Sequence, residues 1–282
     1  MVKKIIISAD STCDLPPAFL EFYDIHTVPV TVHLGNESFL DNREFTPAKM
    51  YARYHEDGTL PQTAAPGVMQ FYDFFSAYTE QGCEIVHLDV SSDLSGTYNN
   101  ARLAAAELNG VYTVDSRTLS YGIGLLAMYA ADCRDRGMSA VEIAARLTEM
   151  TDKTDVSFVL NSLEFMWKGG RCSAVTALGA NILKLKPAVA VKNGRLDVCK
   201  KYRGNMNSVY RQYLLDIMAE KAIRPEHVFF VDSGEIEEQT LAELEAMVRR
   251  SLPEAEIHHV QAACTMSAHC GPKCIGLMFL RK

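Results

Sequence analysis

Along the first half of the chain, short apolar runs alternate with amphipathic stretches, and polar turns separate them. Val2 to Ser8 reads as a buried strand, the turn "ADSTCDLPP" follows, and a helix is predicted from about Pro16 to Tyr23. "HTVPVTVHLG" alternates with period two, the pattern of one half-buried strand. Thr46 before Pro47 marks a helix start, with Thr as N-cap and Pro in the first turn, where its missing N–H has no helical partner to lose. A loop through Gly58, Pro61 and Pro66 leads to the aromatic helix "VMQFYDFFSAYTEQG", ended by Gly82. The strand "EIVHLDV", a helix after Ser95, the strand "VYTVDS" and a helix from about Ser120 complete a β-α-β-α order. That order predicts an α/β fold with an open parallel sheet and helices on both faces. Ligands collect beyond the carboxyl ends of such strands. Three polar turns leave strands at that end and are expected on one rim: Asp10-Ser11-Thr12, Ser91 to Thr97, and Asp115-Ser116.

From about Asp155 the pattern changes. The strand "VSFVLNS" leads to a short helix stopped by Gly169-Gly170, then to a small-residue helix "AVTALGANILK" and to "PAVAVKNGRLDVCKKYR". Asn193-Gly194 between two extended runs predicts a hairpin, because the favoured two-residue turn needs positive φ at both positions. "HVFFVDS", the helix "EEQTLAELEAMVRRSL", "EIHHVQ" and "CIGLMFL" follow. The expectation is two domains: a parallel-sheet α/β unit over 1–154 and an α+β unit over 155–282.

Composition narrows the function classes. With 48% hydrophobic and 22% charged residues the chain is of globular type, and its net charge of −7 argues against general nucleic-acid binding. The apolar run Ile5 to Ile7 is far short of an export-signal core, and no run reaches membrane length, so a cytoplasmic location is expected. Eight cysteines are then expected as reduced thiols. Cys264, His269, Cys270 and Cys274 are zinc-ligand types, but no CxxC pair exists, and the cysteines are read as small buried hydrophobes with no metal. Charge is unevenly spread. Lys168, Arg171, Lys184, Lys186, Lys192, Arg195, Lys200, Lys201, Arg203 and Arg211 face a single acid, Asp197, across one segment. Such a block attracts phosphate or an acidic partner surface, or is simply a solvated face.

Familiar catalytic motifs are missing: there is no GxxxxGK[ST], HExxH or GxSxG. "GIGLLA", Gly122 to Ala127, matches a dinucleotide pattern, yet it falls inside a predicted helix rather than in a strand-to-helix turn. "SSDLSGTYNNA", Ser91 to Ala101, is more telling. Four hydroxyls and Gly96 stand where a strand gives way to a helix, whose first N–H groups and positive dipole end favour an anion. Hydroxyl donors without lysine or arginine suit a carboxylate; ordinary N-capping would need only one serine. The aromatic stripe Phe71, Tyr72, Phe74, Phe75, Tyr78 is read as core rather than as a tunnel wall.

Together, "ISADSTCDLP", "TAAPG", "SSDLSGTYNNA", "VDSRTLSYGIG", "LEFMWKGGRCS", "KLKPAVAVKNGRL" and "HCGPKCIGLMF" resemble, in order and spacing, the signatures of the DegV family of bacterial fatty-acid-binding proteins. The resemblance covers essentially the whole chain. It implies a two-domain α/β protein that buries one long acyl chain between its domains and needs no cofactor. It also implies a partner, an ATP-dependent fatty acid kinase subunit related to dihydroxyacetone kinases, to which the carboxylate is presented for acyl-phosphate formation in phospholipid synthesis. Transient membrane contact fits such a role. Carried over by position, the carboxylate contacts fall on Thr63, Ser95, the backbone of Gly96, and His269, with Arg171 on the phosphoryl-transfer or partner face. Ala64-Ala65 and Gly67 depart from the family's T-S-Q-P-S, and Lys273 from its H-x-G-P-G. Arg171 could instead cap the preceding helix, and His269 could be a turn histidine. Two other functions stay open: an esterase or thioesterase with Ser95 as nucleophile, His269 as base and Asp10 or Asp115 behind it, and a lipid sensor that signals through the basic face.

Overall fold

Backbone hydrogen bonding organises the chain around three sheets. The computed structural model describes residues 3–41, 45–171, 185–220 and 222–282. In chain order the first half runs β1 (Ile5–Asp10), α1 (Pro17–Phe22), β2 (Ile25–Val28), β3 (Thr31–Leu34), β4 (Glu37–Leu40), α2 (Pro47–Asp57), β5 (Gln62–Ala64), α3 (Val68–Thr79), β6 (Glu84–Asp89), α4 (Thr97–Ala105), β7 (Val111–Asp115), α5 (Tyr121–Asp135) and α6 (Ala140–Met150). The second half runs β8 (Thr154–Val159), α7 (Glu164–Gly169), β9 (Lys186–Lys192), β10 (Arg195–Tyr202), α8 (Met206–Glu220), β11 (Val228–Asp232), α9 (Glu238–Ser251), β12 (Ile257–Gln261), α10 (Cys264–Cys270) and β13 (Ile275–Leu280).

The expected parallel sheet is present, in the order β2-β1-β6-β7. All six residues of β1 are buried, as they must be in an interior strand covered on both faces. The second half forms a six-stranded mixed sheet, β10-β9-β8-β13-β11-β12, in which only β11 and β12 run parallel. The Asn193-Gly194 hairpin joins β9 and β10, with φ of 50° and 80° at its two turn residues. The helix expected at "AVTALGANILK" lies outside the described residues.

One strand expectation needs correction. "HTVPVTVHLG" is two strands, because Pro29 has no N–H to continue the ladder. β2 stays in the parallel sheet while β3 turns away to pair antiparallel with β4 and β5. Side-chain alternation survives the break, since Val28, Val30, Val32 and Leu34 are all buried. β5, expected as loop, is the edge of this small sheet and carries Thr63.

α5 explains how the halves join. Eleven of its fifteen residues are buried, so it lacks a polar face and lies between the two large sheets. Tyr121 stacks on Phe229 of β11 with ring centroids 4.6 Å apart. Its two glycines serve close packing rather than phosphate binding: a Cβ on Gly122 would sit 2.6 Å from Val156, and one on Gly124 3.0 Å from the Cys13 carbonyl. One apolar cluster therefore runs from Ile7 and Leu88 through Leu125 and Met128 to Phe158, Phe229 and Met278. Phe71 and Phe75 belong to a separate core with Ile6 and Ile85, as expected of the aromatic stripe. No helix among the described residues is long and apolar enough to cross a membrane.

Candidate functional site

A cavity opens where the two halves meet. Its volume, counted with the open space at its mouth, is about 900 Å³. Both halves supply the wall. Val30, Leu94 and Leu119 come from the first; Phe158, Met166, Leu196, Val231, Met266 and Met278 come from the second. The lining is mostly apolar, yet Thr63, Ser95, Arg171 and His269 all belong to it. Gly96 sits just outside this wall as the N-cap of α4.

Thr63 and His269 form the centre of the polar part. Thr63 Oγ1 and His269 Nε2 are 2.9 Å apart. The other ring nitrogen, Nδ1, is buried and has no hydrogen-bond partner among the described residues. Beside it stands the backbone of Gly169, the last residue of α7, where a Cβ would lie 2.5 Å from His269 Nδ1. Gly170 follows with φ of 69°, a left-handed turn that ends the helix and brings Arg171 back toward the cavity. The Arg171 guanidinium donates to the Gly169 carbonyl at 2.5 Å, so it does cap α7, and it also lines the cavity. Among the described residues no carboxylate pairs with it.

These neighbours decide the charge state. His269 keeps some accessible surface, but that surface is cavity wall. Burial, assisted by the Arg171 charge, holds its pKa down at about 4, so the imidazole is neutral at pH 7. An anion in the cavity would therefore find its positive charge on Arg171, with the Thr63–His269 pair, which shares one of its two protons, supplying one hydrogen bond.

The serine-rich loop divides its hydroxyls. Ser95 Oγ lies 2.8 Å from Thr97 Oγ1 and accepts from the Thr97 N–H at 3.3 Å, and both residues line the cavity. Ser91 instead donates to the Gly194 carbonyl at 2.7 Å, and Ser92 donates to Asp115 at 2.5 Å. Two of the four hydroxyls thus face the cavity and two hold the loop in place. Asn100 on α4 donates to the Pro66 carbonyl at 2.9 Å and ties this loop to the one that follows Thr63. On the same loop, Asp93 pairs with Arg117 at 2.7 Å and with Arg195 at 3.0 Å, and Arg117 also donates to the Asn193 carbonyl. The hairpin is a clasp between the halves.

A serine-hydrolase triad is not assembled by these groups. Ser95 is bonded to Thr97 and His269 to Thr63, and among the described residues no carboxylate reaches His269 Nδ1. Asp10 accepts from Thr12 and Val90, and Asp115 holds Ser92 and Arg117. A Ser–His–Asp series does exist elsewhere: Ser8 Oγ, His87 and Asp89 are linked at 2.8 and 3.0 Å. It is sealed in the core under Phe71 and Phe75 and has no route to a substrate. Cys264, His269, Cys270 and Cys274 do not gather their ligand atoms. The basic segment is partly neutralised by acids outside it, through Lys168–Glu164, Arg195–Asp93, Lys200–Asp216 and Arg211–Glu243. Lys184 lies outside the described residues.

Thr265, Met266, His269 and Cys270 line the cavity from one face of α10. This helix is absent from the sequence reading, which saw only the His269 turn. The spacing of i, i+1, i+4 and i+5 was the available signal.

The profile of the DegV family, an uncharacterised protein family by its description, matches residues 4–282. A DegV domain-containing protein of Clostridium perfringens is 31% identical, covering 99% of this chain and 98% of that one. One from Caldanaerobacter subterraneus is 28% identical over the full length of both. The fold superimposes on a fatty-acid-binding DegV family protein of Thermus thermophilus with a TM-score of 0.90 and 29% identity, over 99% of this chain and all of the other. It superimposes equally completely on a Thermotoga maritima protein whose structure revealed fatty acid binding, with a TM-score of 0.84 and 27% identity.

Proposed function

The chain belongs to the DegV family, and we propose that it binds one long-chain fatty acid in the cavity between its halves, without catalysing a reaction alone. The observation that carries this reading is the composition of one wall: an apolar slot whose polar edge is the Thr63–His269 pair, with Arg171 beside it and no carboxylate paired with Arg171 among the described residues. The tail would lie among Phe158, Met166, Leu196, Val231 and Met278. The carboxylate would take hydrogen bonds from Thr63, from Ser95 and the Gly96 backbone at the start of α4, and from His269 once the bound anion favours its imidazolium. Each buried methylene contributes roughly 0.8 kcal/mol, whereas a hydrogen bond to a charged group contributes about 1.5–3 kcal/mol. A chain of a dozen or more carbons therefore owes most of its affinity to the tail, and the polar groups fix its orientation.

The family resemblance adds a destination. The bound acid would be presented to a separate kinase subunit of the dihydroxyacetone kinase type, which phosphorylates the carboxylate with ATP. Arg171 supports this reading because it is exposed and cationic beside the carboxylate position, where the added phosphoryl charge would appear.

Native mass spectrometry of the purified protein, followed by organic extraction, tests the proposal. One acyl chain per protein is the expected result. A protein that is empty and also fails to take up added palmitate or oleate would sink it.

A further inference from the structure

β12 carries consecutive histidines, His258 and His259, and strand alternation sends them to opposite faces of the sheet. His259 engages acids, Asp232 at 3.1 Å and Glu245 at 3.2 Å. His258 points toward α1 of the first half, where its ring meets Phe19 edge-on with centroids 5.0 Å apart. There its Nε2 lies 3.1 Å from Nδ1 of His227, the residue before β11. Glu256, the residue before β12, brings one oxygen to 3.7 Å from His227 Nδ1 and the other to 3.5 Å from His258 Nε2.

Two ring nitrogens and the two oxygens of one carboxylate thus face a common point, with one ligand atom from each of the three residues lying within 4.8 Å of the others. Bonds of about 2.0–2.2 Å at tetrahedral angles require donor separations of about 3.3–3.6 Å. The two rings are nearly parallel, at 24°. Tyr23 OH lies 3.1 Å from His227 Nε2. Accepting the N–H there, Tyr23 turns the Nδ1 lone pair toward that point, as the outer partner of a metal-bound histidine does. His227 is held at φ 51°, in the left-handed region, to reach this position. Glu256 is 63% exposed, which leaves an entry path and room for a water as fourth ligand. An imidazole-to-imidazole hydrogen bond would account for the 3.1 Å contact alone, without the carboxylate that spans both nitrogens.

We propose that His227, Glu256 and His258 bind one divalent ion of the zinc class, with Tyr23 as the positioning group. Two imidazoles and one carboxylate suit zinc, cobalt or nickel rather than the all-oxygen preference of calcium or magnesium. The ligands belong to the second half and Tyr23 follows α1 in the first, so the ion would strengthen the docking of α1 against the mixed sheet.

The test is Co²⁺ titration of the chelator-treated full chain, followed by visible absorption. One equivalent giving the d–d bands of a four- or five-coordinate site, displaced by Zn²⁺, is expected. Glu256→Gln, an exposed change that leaves the fold intact, and His258→Ala should each weaken binding at least 100-fold. Tyr23→Phe should weaken it roughly 10–100-fold, and His259→Ala should not alter it. The proposal is overturned by a protein that takes up neither ion, by uptake that survives Glu256→Gln and His258→Ala, or by strong thiolate-to-cobalt charge transfer, which would place the ion on cysteines.

Discussion

Thr63 and His269 stand 206 residues apart in the chain and 2.9 Å apart in the fold, one on the edge of the small sheet and the other on α10. Neither half can form this pair alone. A change that separates the halves must therefore dismantle the polar edge of the cavity together with its apolar walls.

Thr63→Val tests that pair with almost no change of volume. It removes the partner of His269 Nε2 and one hydroxyl donor. Loss of a hydrogen bond to a charged group, about 1.5–3 kcal/mol, corresponds to roughly a 10- to 100-fold drop in affinity. Displacement of a fluorescent fatty acid measures it. An unchanged affinity in a folded variant would remove Thr63 from the site.

Ser95→Ala should act differently. Ser95 accepts from the first N–H of α4 and pairs with Thr97, so its loss loosens the head-group position more than the tail slot. Phosphorylation of the bound acid by a fatty acid kinase is expected to fall at least tenfold, with tail affinity changed less than threefold. Equal phosphorylation rates in the two proteins would exclude this role.

Gly169→Ala inserts one methyl group against His269. With a Cβ only 2.5 Å from Nδ1, the ring must move away from Thr63. The backbone at Gly169 is helical and tolerates alanine, so the melting temperature should change little while fatty-acid affinity falls at least tenfold. Gly170→Ala is the contrasting variant. Its φ of 69° adds strain, but among the described residues no atom would lie within 4 Å of its Cβ, so stability should suffer and affinity should not. A reversed pattern would show that the His269 position does not control binding.

Much of this architecture was legible because local chemistry and tertiary structure agree. The parallel order, the Thr46 cap, the Asn193-Gly194 turn and the helical "GIGLLA" each follow from backbone rules that need few neighbours. β5 and α10 were not legible. Gln62–Ala64 is three residues long and is extended only because β3 lies beside it. "CTMSAHC" has no side-chain cap and is helical because α2 and α7 enclose it. Ser95 stood out through its serine-rich turn, Arg171 through the basic block and His269 as a ligand type, whereas Thr63 and the carboxylate roles came from the family resemblance; their shared cavity is a tertiary fact. The neutral state of His269 was beyond the sequence, since it arises from burial and from Arg171.

The hairpin clasp yields a kinetic prediction. Gly194 has φ of 80°, and a Cβ there would lie 2.5 Å from Arg117 Cζ and 2.7 Å from Ser91 Oγ. Gly194→Ala must displace both contacts that hold the hairpin to the first half, besides straining the turn. Backbone strain of this kind costs about 1–3 kcal/mol. Fatty-acid release, followed by stopped-flow transfer to vesicles, should quicken at least fivefold. Unchanged release with lowered stability would mean that the ligand leaves by a route the hairpin does not guard.

Acid should weaken the empty protein in a way traceable to His269. Its pKa lies at about 4 in the fold and at about 6.5 in an unfolded chain. Between these values the unfolded chain takes up a proton that the folded protein refuses, so stability falls as pH drops from about 6.5 to 4, by up to about 3 kcal/mol. Asp10 acts in the opposite sense. Burial, reinforced by the Asp89 charge, raises its pKa to about 7, so the folded protein holds a proton that the unfolded chain has lost, and stability rises as pH drops from about 7 toward 3.8. The sum is therefore less informative than a difference. Urea unfolding of wild type and His269→Gln at several pH values should give curves that separate progressively through this window, with the variant less sensitive to acid. A bound fatty-acid carboxylate would favour the imidazolium, so saturating ligand should remove most of the separation. Parallel curves without ligand would place His269 nearer solvent than the fold does; separation that persists with ligand would put the carboxylate elsewhere in the cavity.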